Sequence, residues 1–373
     1  MAAPLEGMRI VELGGIGPGP FAAMMLADHG AEVIRIERAG MLEISNDPMM
    51  RGRRSLCLDL RRDGAQAVVR RIAGTADGLI EGYRPGAMER LGLGPEVLLG
   101  DNPRLVYGRV TGWGQDGPLA GEAGHDLNYL ALSGLLHTIG RPGEPPVPPL
   151  NLVGDYAGGG MMLAFGMVAA LLGVARGGAG QVIDVAMSDG AALIGTIAYA
   201  MKAAGQWTDQ RGTNLLDGGA ALYGCYECAD GRHVAVAALE PQFRRVLLDG
   251  LGLADEPLFD TQFKPADWPA QKARLAAVLA TRGRDDWVAH FAGKDACLSP
   301  VLTLAEAPLH PHNVARGTFV AAKGGVRPAA APRFSAASDE RPEARPGGTM
   351  LLVEFGFSDA EIADLRASGA LTA

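Results

Sequence analysis

Positions 9–13 (Arg-Ile-Val-Glu-Leu) and 32–36 (Glu-Val-Ile-Arg-Ile) each set a β-branched apolar pair between polar residues and read as strands. A glycine- and proline-rich turn at 14–20 and a helical pattern at 21–29 lie between them. Pro20 falls at the first helical position and Gly30 closes the helix, which makes a βαβ unit. The alternation continues with strands at 56–60, 78–81, 104–110 and 181–185 and helices at 64–73 and 87–91. Ser188 or Asp189 is expected to cap a further helix running to Met201. Such a series predicts an α/β fold with a mainly parallel sheet covered on both faces.

The pattern changes after about residue 205. Runs at 222–228 and 233–239, joined by a turn at 229–231, predict a β-hairpin, and helical patterns follow at 242–251, 270–279 and 284–292. This predicts a smaller α+β domain. A connection rich in proline and glycine at 324–348 then leads to a last helix at 359–368. A chain of 373 residues exceeds one ordinary core, so two domains are expected.

Composition narrows the function. Hydrophobic residues at 48% and charged ones at 20% describe a soluble globular protein. The net charge of −8 argues against general nucleic-acid binding but leaves room for a local basic pocket. Four scattered cysteines suit a reducing compartment, and a cytoplasmic location is expected. Cys225 and Cys228 form a single C-x-x-C, but their spacing sends them to opposite faces of a strand, so no metal site is expected. The N-terminus lacks a basic region before an apolar core, so no signal peptide is expected. The uncharged run at 156–174 has membrane length, yet it holds five glycines and follows a carboxylate. A buried core helix, with no membrane partner, is the expectation.

Candidate chemistry concentrates between Gly124 and Gly160. His125, in Gly-His-Asp-Leu-Asn-Tyr, precedes an apolar helical pattern, and Asp155, in Asn-Leu-Val-Gly-Asp-Tyr-Ala-Gly-Gly-Gly, stands at the mouth of another. A helix start presents unpaired N–H groups and a partial positive charge. An imidazole and a carboxyl opposed across a pocket, with N–H donors between them, suit the removal and return of a proton beside a carbonyl. Taken singly, each is an ordinary helix cap, so the pair carries the reading. The glycine-rich first turn tempts a dinucleotide reading, with Glu37 in the acidic position. The third glycine of the fingerprint falls at Pro20, however, and two prolines remove N–H groups that a pyrophosphate needs. Six arginines at 38–62 flank strand ends and predict a ligand bearing phosphate.

These motifs, with Arg-Gly-Arg-Arg-Ser at 51–55, Gly-Gln-Val-Ile-Asp at 180–184, Glu-Pro-Gln-Phe at 240–243, Asp-Ala-Cys-Leu-Ser-Pro-Val at 295–301 and Glu-Phe-Gly-Phe at 354–357, span nearly the whole chain. In this the sequence resembles the α-methylacyl-CoA racemases, a branch of the family III CoA-transferases. The resemblance implies a homodimer of two interlocked rings, with a Rossmann-like large domain at 1–187 to which 330–373 returns. It further implies a linker at 188–221, a small α+β domain at 222–315 and a return linker at 316–329. The implied reaction is epimerisation of 2-methylacyl-CoA thioesters through an enolate, CoA being part of the substrate and no separate cofactor being needed.

The resemblance carries over His125 and Asp155 as the acid/base pair, Glu240 as an orienting carboxylate, and Asp126 and Asn151 as supporting residues. Backbone N–H near Asp126 would meet the enolate oxygen. Arg38, Leu58, Asp59, Leu60 and Arg61 are implied as contacts of the CoA nucleotide, and Gly124, His125, Asp126, Leu127, Asn128 and Tyr129 as the lining of the thioester end. One departure is visible: the family's Gly-x-His-Thr before the last motif is Gly347-Gly-Thr349 here, which bears on packing of the C-terminal segment. The alternative is a CoA-transferase in which Asp155 is a nucleophile. That chemistry needs no base at 125.

Overall fold

The computed structural model describes residues 3–38, 47–335 and 347–372. The chain runs β1 (Arg9–Leu13), α1 (Pro18–Asp28), β2 (Glu32–Glu37), β3 (Arg53–Cys57), α2 (Ala65–Ala73), β4 (Gly78–Glu81), α3 (Ala87–Arg90), α4 (Pro95–Asp101) and β5 (Val106–Thr111). Next come α5 (Asp126–Leu132), α6 (Leu135–Thr138), a π-helical segment Leu152–Met161 that passes directly into α7 (Met162–Ala175), β6 (Gln181–Ala186), α8 (Met187–Ile194) and α9 (Thr196–Ala203). The rest is β7 (Tyr223–Glu227), β8 (His233–Ala237), α10 (Pro241–Leu251), α11 (Trp268–Leu279), α12 (Arg284–His290), β9 (Leu298–Pro300), α13 (Pro311–Arg316), the hairpin β10 (Phe319–Ala322) and β11 (Gly325–Pro328), α14 (Thr349–Glu354) and α15 (Asp359–Ala367).

Two compact units result: Met1–Ser133 with Leu150–Ile194 and Gly317–Ala373, and Gly134–Pro149 with Gly195–Arg316. Residues 134–149, which the sequence places in the large domain, cluster with the second unit. The first unit is α/β. Its parallel sheet has the order β3-β2-β1-β4-β5-β6, so the chain winds outward in both directions from the β1–β4 boundary. One face packs Val11, Leu13, Ile34, Leu56, Leu79 and Tyr107 against α2, α14 and α15. The other packs Ile10, Val33, Ile80 and Val106 against α1 and α7. The second unit is α+β, with an antiparallel sheet β7-β8-β9 covered by Leu247, Leu275, Leu279, Trp287 and Phe291.

Several boundaries differ from expectation, each for a physical reason. Helix α1 starts at Pro18, so both prolines lie in its first turn, where N–H groups have no helical partner. Strand β3 starts at Arg53, since Arg53 and Arg54 pair with Val33 and Ile34 while their guanidinium groups reach carboxylates. It ends at Cys57, where the chain turns to meet the C-terminus: Leu58 bridges Leu371, and the Asp59 N–H donates to Ala370 O at 2.8 Å. The helix expected from 188 to 201 begins one residue earlier and is broken at Gly195. Residues 336–346 of the proline-rich connection lie outside the described residues. The departure at 347–349 has a counterpart in the packing: a Cβ on Gly347 would lie 2.5 Å from Ser55 O, and the Gly348 N–H donates to that same oxygen.

The apolar helix is core on one face only. Leu163, Ala164, Met167, Ala170, Leu171 and Val174 are buried, whereas Met161, Phe165, Val168 and Leu172 form an exposed stripe on the other face. By length and composition, the stretch Leu152–Ala175 would cross a membrane. Here its buried face is fixed by glycine. A Cβ on Gly158 would lie 2.8 Å from Ala191 N, one on Gly159 2.8 Å from a Pro18 side-chain carbon, and one on Gly160 2.7 Å from Phe21. The glycine triplet thus seats the π-helical segment between α1 and α8, backbone against backbone. On the opposing surface, a Cβ on Gly190 would lie 1.9 Å from Gly158 O.

Gly190→Ala is therefore expected to cost about 3 kcal/mol, the upper end of ordinary overpacking. Gly173→Ala, in α7 with nothing within 4 Å of the new Cβ, should gain roughly 0.5–1 kcal/mol. Urea unfolding of the two variants checks both signs.

Candidate active site

In an open α/β sheet, ligands bind beyond the carboxyl ends of the strands where the winding direction reverses. The first unit has a cleft of about 1420 Å³ at that place. Residues from Leu13 to Pro20 line it after β1, and Gly82, Tyr83, Arg84 and Pro85 after β4. Thr111, Gly112 and Trp113 line it after β5. Gly124, His125, Tyr129, Asn151, Asp155 and Tyr156 complete the chemical wall, and Lys323 and Arg327 of the β10–β11 hairpin stand at the rim.

His125 is the N-cap residue of α5, with extended backbone. Its N–H donates to Asn128 Oδ1 at 3.0 Å, and the Asn128 N–H donates to its carbonyl at 2.8 Å. This reciprocal bonding fixes the entry angle of the chain and so the place from which the imidazole projects. Behind it, the Tyr129 ring meets Trp113 edge to face at 4.8 Å, and its hydroxyl donates to Gly124 O. Gly112 and Gly124 have no side chain because a Cβ at either would run into that ring.

Asp155 lies in the first turn of the π-helical segment. Such segments are rare and concentrate at functional sites. Its N–H donates to Asp126 Oδ2 at 2.8 Å, and Asn151 Nδ2 donates to its Oδ2 at 3.1 Å. From the far side, a Cβ on Gly17, which has φ +70°, would come 3.4 Å from Asp155 Oδ2. The glycine turn therefore covers the carboxyl with bare backbone. Burial raises the proton affinity of Asp155, the Asn151 bond opposes this, the Asp126 carboxylate adds to it, and His125 lowers it again. Asp155 and His125 thus line one cleft and act on one another electrostatically.

The other expected residues divide. Asp126 is buried behind Asp155 rather than in the cleft wall, and its Oδ1 has no hydrogen-bond partner among the described residues. Leu127 is exposed on α5. Glu240 is the N-cap residue of α10 in the second unit. Arg38, Leu58, Asp59, Leu60 and Arg61 do not line the cleft. They lie at the ends of β2 and β3, Leu58 in the core and the arginines exposed, and there Arg61 holds Asp59 well below the usual carboxylate range and Arg38 adds to the effect.

Most arginines expected to meet phosphate are committed to carboxylates: Arg51 to Asp28, Arg53 to Glu12, and Arg54 to Glu32 and Glu354. Sequence reasoning passed over Gly17, Tyr83 and Arg84. The signal for Gly17 was available in the Gly-Ile-Gly-Pro-Gly-Pro turn, but nothing local announced its partner 138 residues away. Arg84 and Lys323 face the cleft without an ion-pair partner among the described residues.

Residues 5–348 match the family model CoA-transferase family III. The chain is 46% identical to mouse (Mus musculus) alpha-methylacyl-CoA racemase over 97% of its own length and 96% of that protein. It is 45% identical to the human (Homo sapiens) protein of the same name, with the same coverage. Among solved structures, a CAIB/BAIF family protein from Brucella suis superimposes with a TM-score of 0.81 at 27% identity, covering 95% of this chain and all of that one.

A carboxyl with raised proton affinity in the folded state leaves the fold less stable once ionised. Below its unfolded value of 3.8 the two states are equally protonated, and the penalty grows as pH rises through the folded value. Asp155→Asn should therefore unfold at a higher temperature than wild type at neutral pH, with the gap closing as pH falls to 4. Thermal scans across pH 4 to 8 check the slope.

Proposed function

The chain belongs to the CoA-transferase family III, and from that premise we propose that it is an α-methylacyl-CoA racemase, interconverting the R and S epimers of 2-methylacyl-CoA thioesters. The observation that carries the reading is the pairing of His125 and Asp155 in one cleft, with the carboxyl's proton affinity raised by burial. The thioester carbonyl acidifies the α-carbon, so the reaction asks for no resident cofactor.

One of the pair removes the α-proton, and the C–H electron pair becomes the enolate double bond while charge moves to the thioester oxygen. The other delivers a proton to the opposite face. The first N–H groups of α5, on Asp126 and Leu127, have no intrahelical acceptor and are the proposed donors to the enolate oxygen. Each turnover leaves the proton inventory reversed, which is the form that handles the opposite epimer. A neutral Asp155 is needed in one direction, and its covered environment favours that state. Asn151 orients it through Oδ2. Glu240 is proposed as the carboxylate that orients the imidazole. Arg38 and the segment Leu58, Asp59, Leu60 and Arg61 are proposed contacts of the nucleotide, with Gly124, His125, Asp126, Leu127, Asn128 and Tyr129 at the thioester end. The uncommitted Arg84 and Lys323 support a ligand with phosphate groups.

A second copy of this chain is the proposed cover for the exposed stripe Met161, Phe165, Val168 and Leu172 of α7, consistent with the interlocked homodimer of the family. Phe165→Glu should then lower the mass found by light scattering to that of one chain.

His125→Ala and Asp155→Ala are each expected to slow epimerisation by at least about 10²-fold, the lower range for loss of a general acid or base. Affinity for CoA should stay within a few-fold. NMR of one 2-methylacyl-CoA epimer in deuterated water reads the outcome. Deuterium at C2 without any acceptor acid supports the racemase, and turnover that requires a second carboxylic acid would assign the chain to group transfer instead.

A further inference from the structure

A buried charge cluster under the cleft has no part in the proton transfers. Glu12 sits fully buried on β1, between Val11 and Leu13 and directly opposite Arg35 in the ladder. Its Oε1 accepts from Arg35 Nη1 and its Oε2 from Arg53 Nε at 2.9 Å. Arg35 donates through Nε to Glu37 Oε2 at 2.7 Å and through Nη2 to Gly15 O at 3.3 Å. Arg53 donates to Pro20 O, and to the carbonyls of Met49 and Arg51. The two arginines thus grip both ends of the turn from Gly15 to Pro20, and a single carboxylate sets the direction of both.

That turn is closed by one backbone hydrogen bond, from the Phe21 N–H to Gly17 O at 3.2 Å, among the described bonds. Pro18 and Pro20 lack N–H groups, and Gly17 has the left-handed conformation. Yet it is the surface that faces the Asp155 carboxyl, since a Cβ on Gly17 would lie 3.4 Å from Oδ2. A buried ion cluster is a poor source of stability, because desolvation offsets most of the attraction, whereas it does fix geometry. We propose that Glu12, acting through Arg35 and Arg53, is a positioning residue for the racemase reaction: it locks the Gly15–Pro20 turn against Asp155 and so keeps water from that carboxyl.

This rests on Asp155 acting as acid and base in the reading above. The charged and titratable groups acting on or beside Asp155 are His125 and Asp126, with Tyr129 nearby and Asn151 as a neutral donor. The turn itself brings no charge. Loosening it therefore acts through hydration alone, which returns Asp155 toward ordinary carboxylate behaviour.

The test is the pH profile of epimerisation for Glu12→Gln and for the pair Glu12→Gln/Arg35→Met. The pair removes one positive and one negative charge, so the net charge of the cluster is unchanged although Arg53 and Glu37 each lose a partner, and it deletes the bond to Gly15 O. Should Glu12→Gln fail to fold, the pair carries the test. The expected result is a kcat lowered by roughly 10- to 100-fold, as for small misplacements of a catalytic group. KM should be little changed, and the limb of the profile that belongs to Asp155 should move to lower pH. A lowered unfolding temperature with wild-type kcat and an unmoved limb would overturn the proposal and leave Glu12 a structural residue. Absence of C2 deuterium exchange in the wild-type protein would instead sink the racemase reading, so the two failures are distinguishable.

Discussion

The hydrogen bond from the Asp155 N–H to the Asp126 carboxylate joins two segments that begin in different parts of the chain, and the site exists because of it. One end belongs to the first turn of α5, beside His125. The other belongs to the π-helical segment beside Asn151. A Cβ on Gly154 would lie 2.8 Å from the Asp126 carboxyl, so the two backbones approach only because residue 154 is glycine. Through this contact, rigidity in α5 becomes rigidity at Asp155, and a bond of this kind to an ionised acceptor is among the stronger ones available to a fold.

Around that bond, the structure surrounds a carboxyl with groups that donate little. The glycine turn offers bare backbone, and the neighbouring Asp126 adds a like charge. Among the described residues, Asn151 donates to the carboxylate directly, and His125 acts on it with opposite sign. Backbone close packing and acid strength are therefore one design. At Gly17 the bare backbone that faces Asp155 leaves the carboxyl without a side-chain donor from that residue.

The alternating strands and helices of the first unit were legible because the central strands β1, β4 and β5 are buried on both faces and run as short, mainly apolar segments between helices. The candidate pair was legible because His125 and Asp155 each stand at a helix start, within motifs whose glycines demand explanation. Other features were not readable locally. The end of β3 depends on Leu371 and Ala370, more than 300 residues later, and β9 pairs with β8 across three intervening helical stretches. The arginines at 51–54 read as a phosphate site because their carboxylate partners, Asp28, Glu12, Glu32 and Glu354, are distant in sequence and come together only in the sheet. Glu12 was invisible for the opposite reason. A single glutamate in Arg-Ile-Val-Glu-Leu is as ordinary in a short strand as Arg9 in the same segment, and its complete burial is what marks it as unusual.

The choice between proton shuttling and group transfer turns on what the surroundings ask of Asp155. A nucleophilic carboxylate must be ionised and must present a lone pair to a thioester carbon. Burial and the Asp126 charge both work against ionisation here, and Asn151 engages the Oδ2 atom. A proton donor needs the reverse, a carboxyl that holds its proton until an enolate forms beside it. An imidazole in the same cleft would add nothing to anhydride formation, yet it completes a two-sided exchange at carbon. The residue at 125 and the covering of residue 155 thus point to the same chemistry by independent routes, one through side-chain identity and the other through the packing of bare backbone.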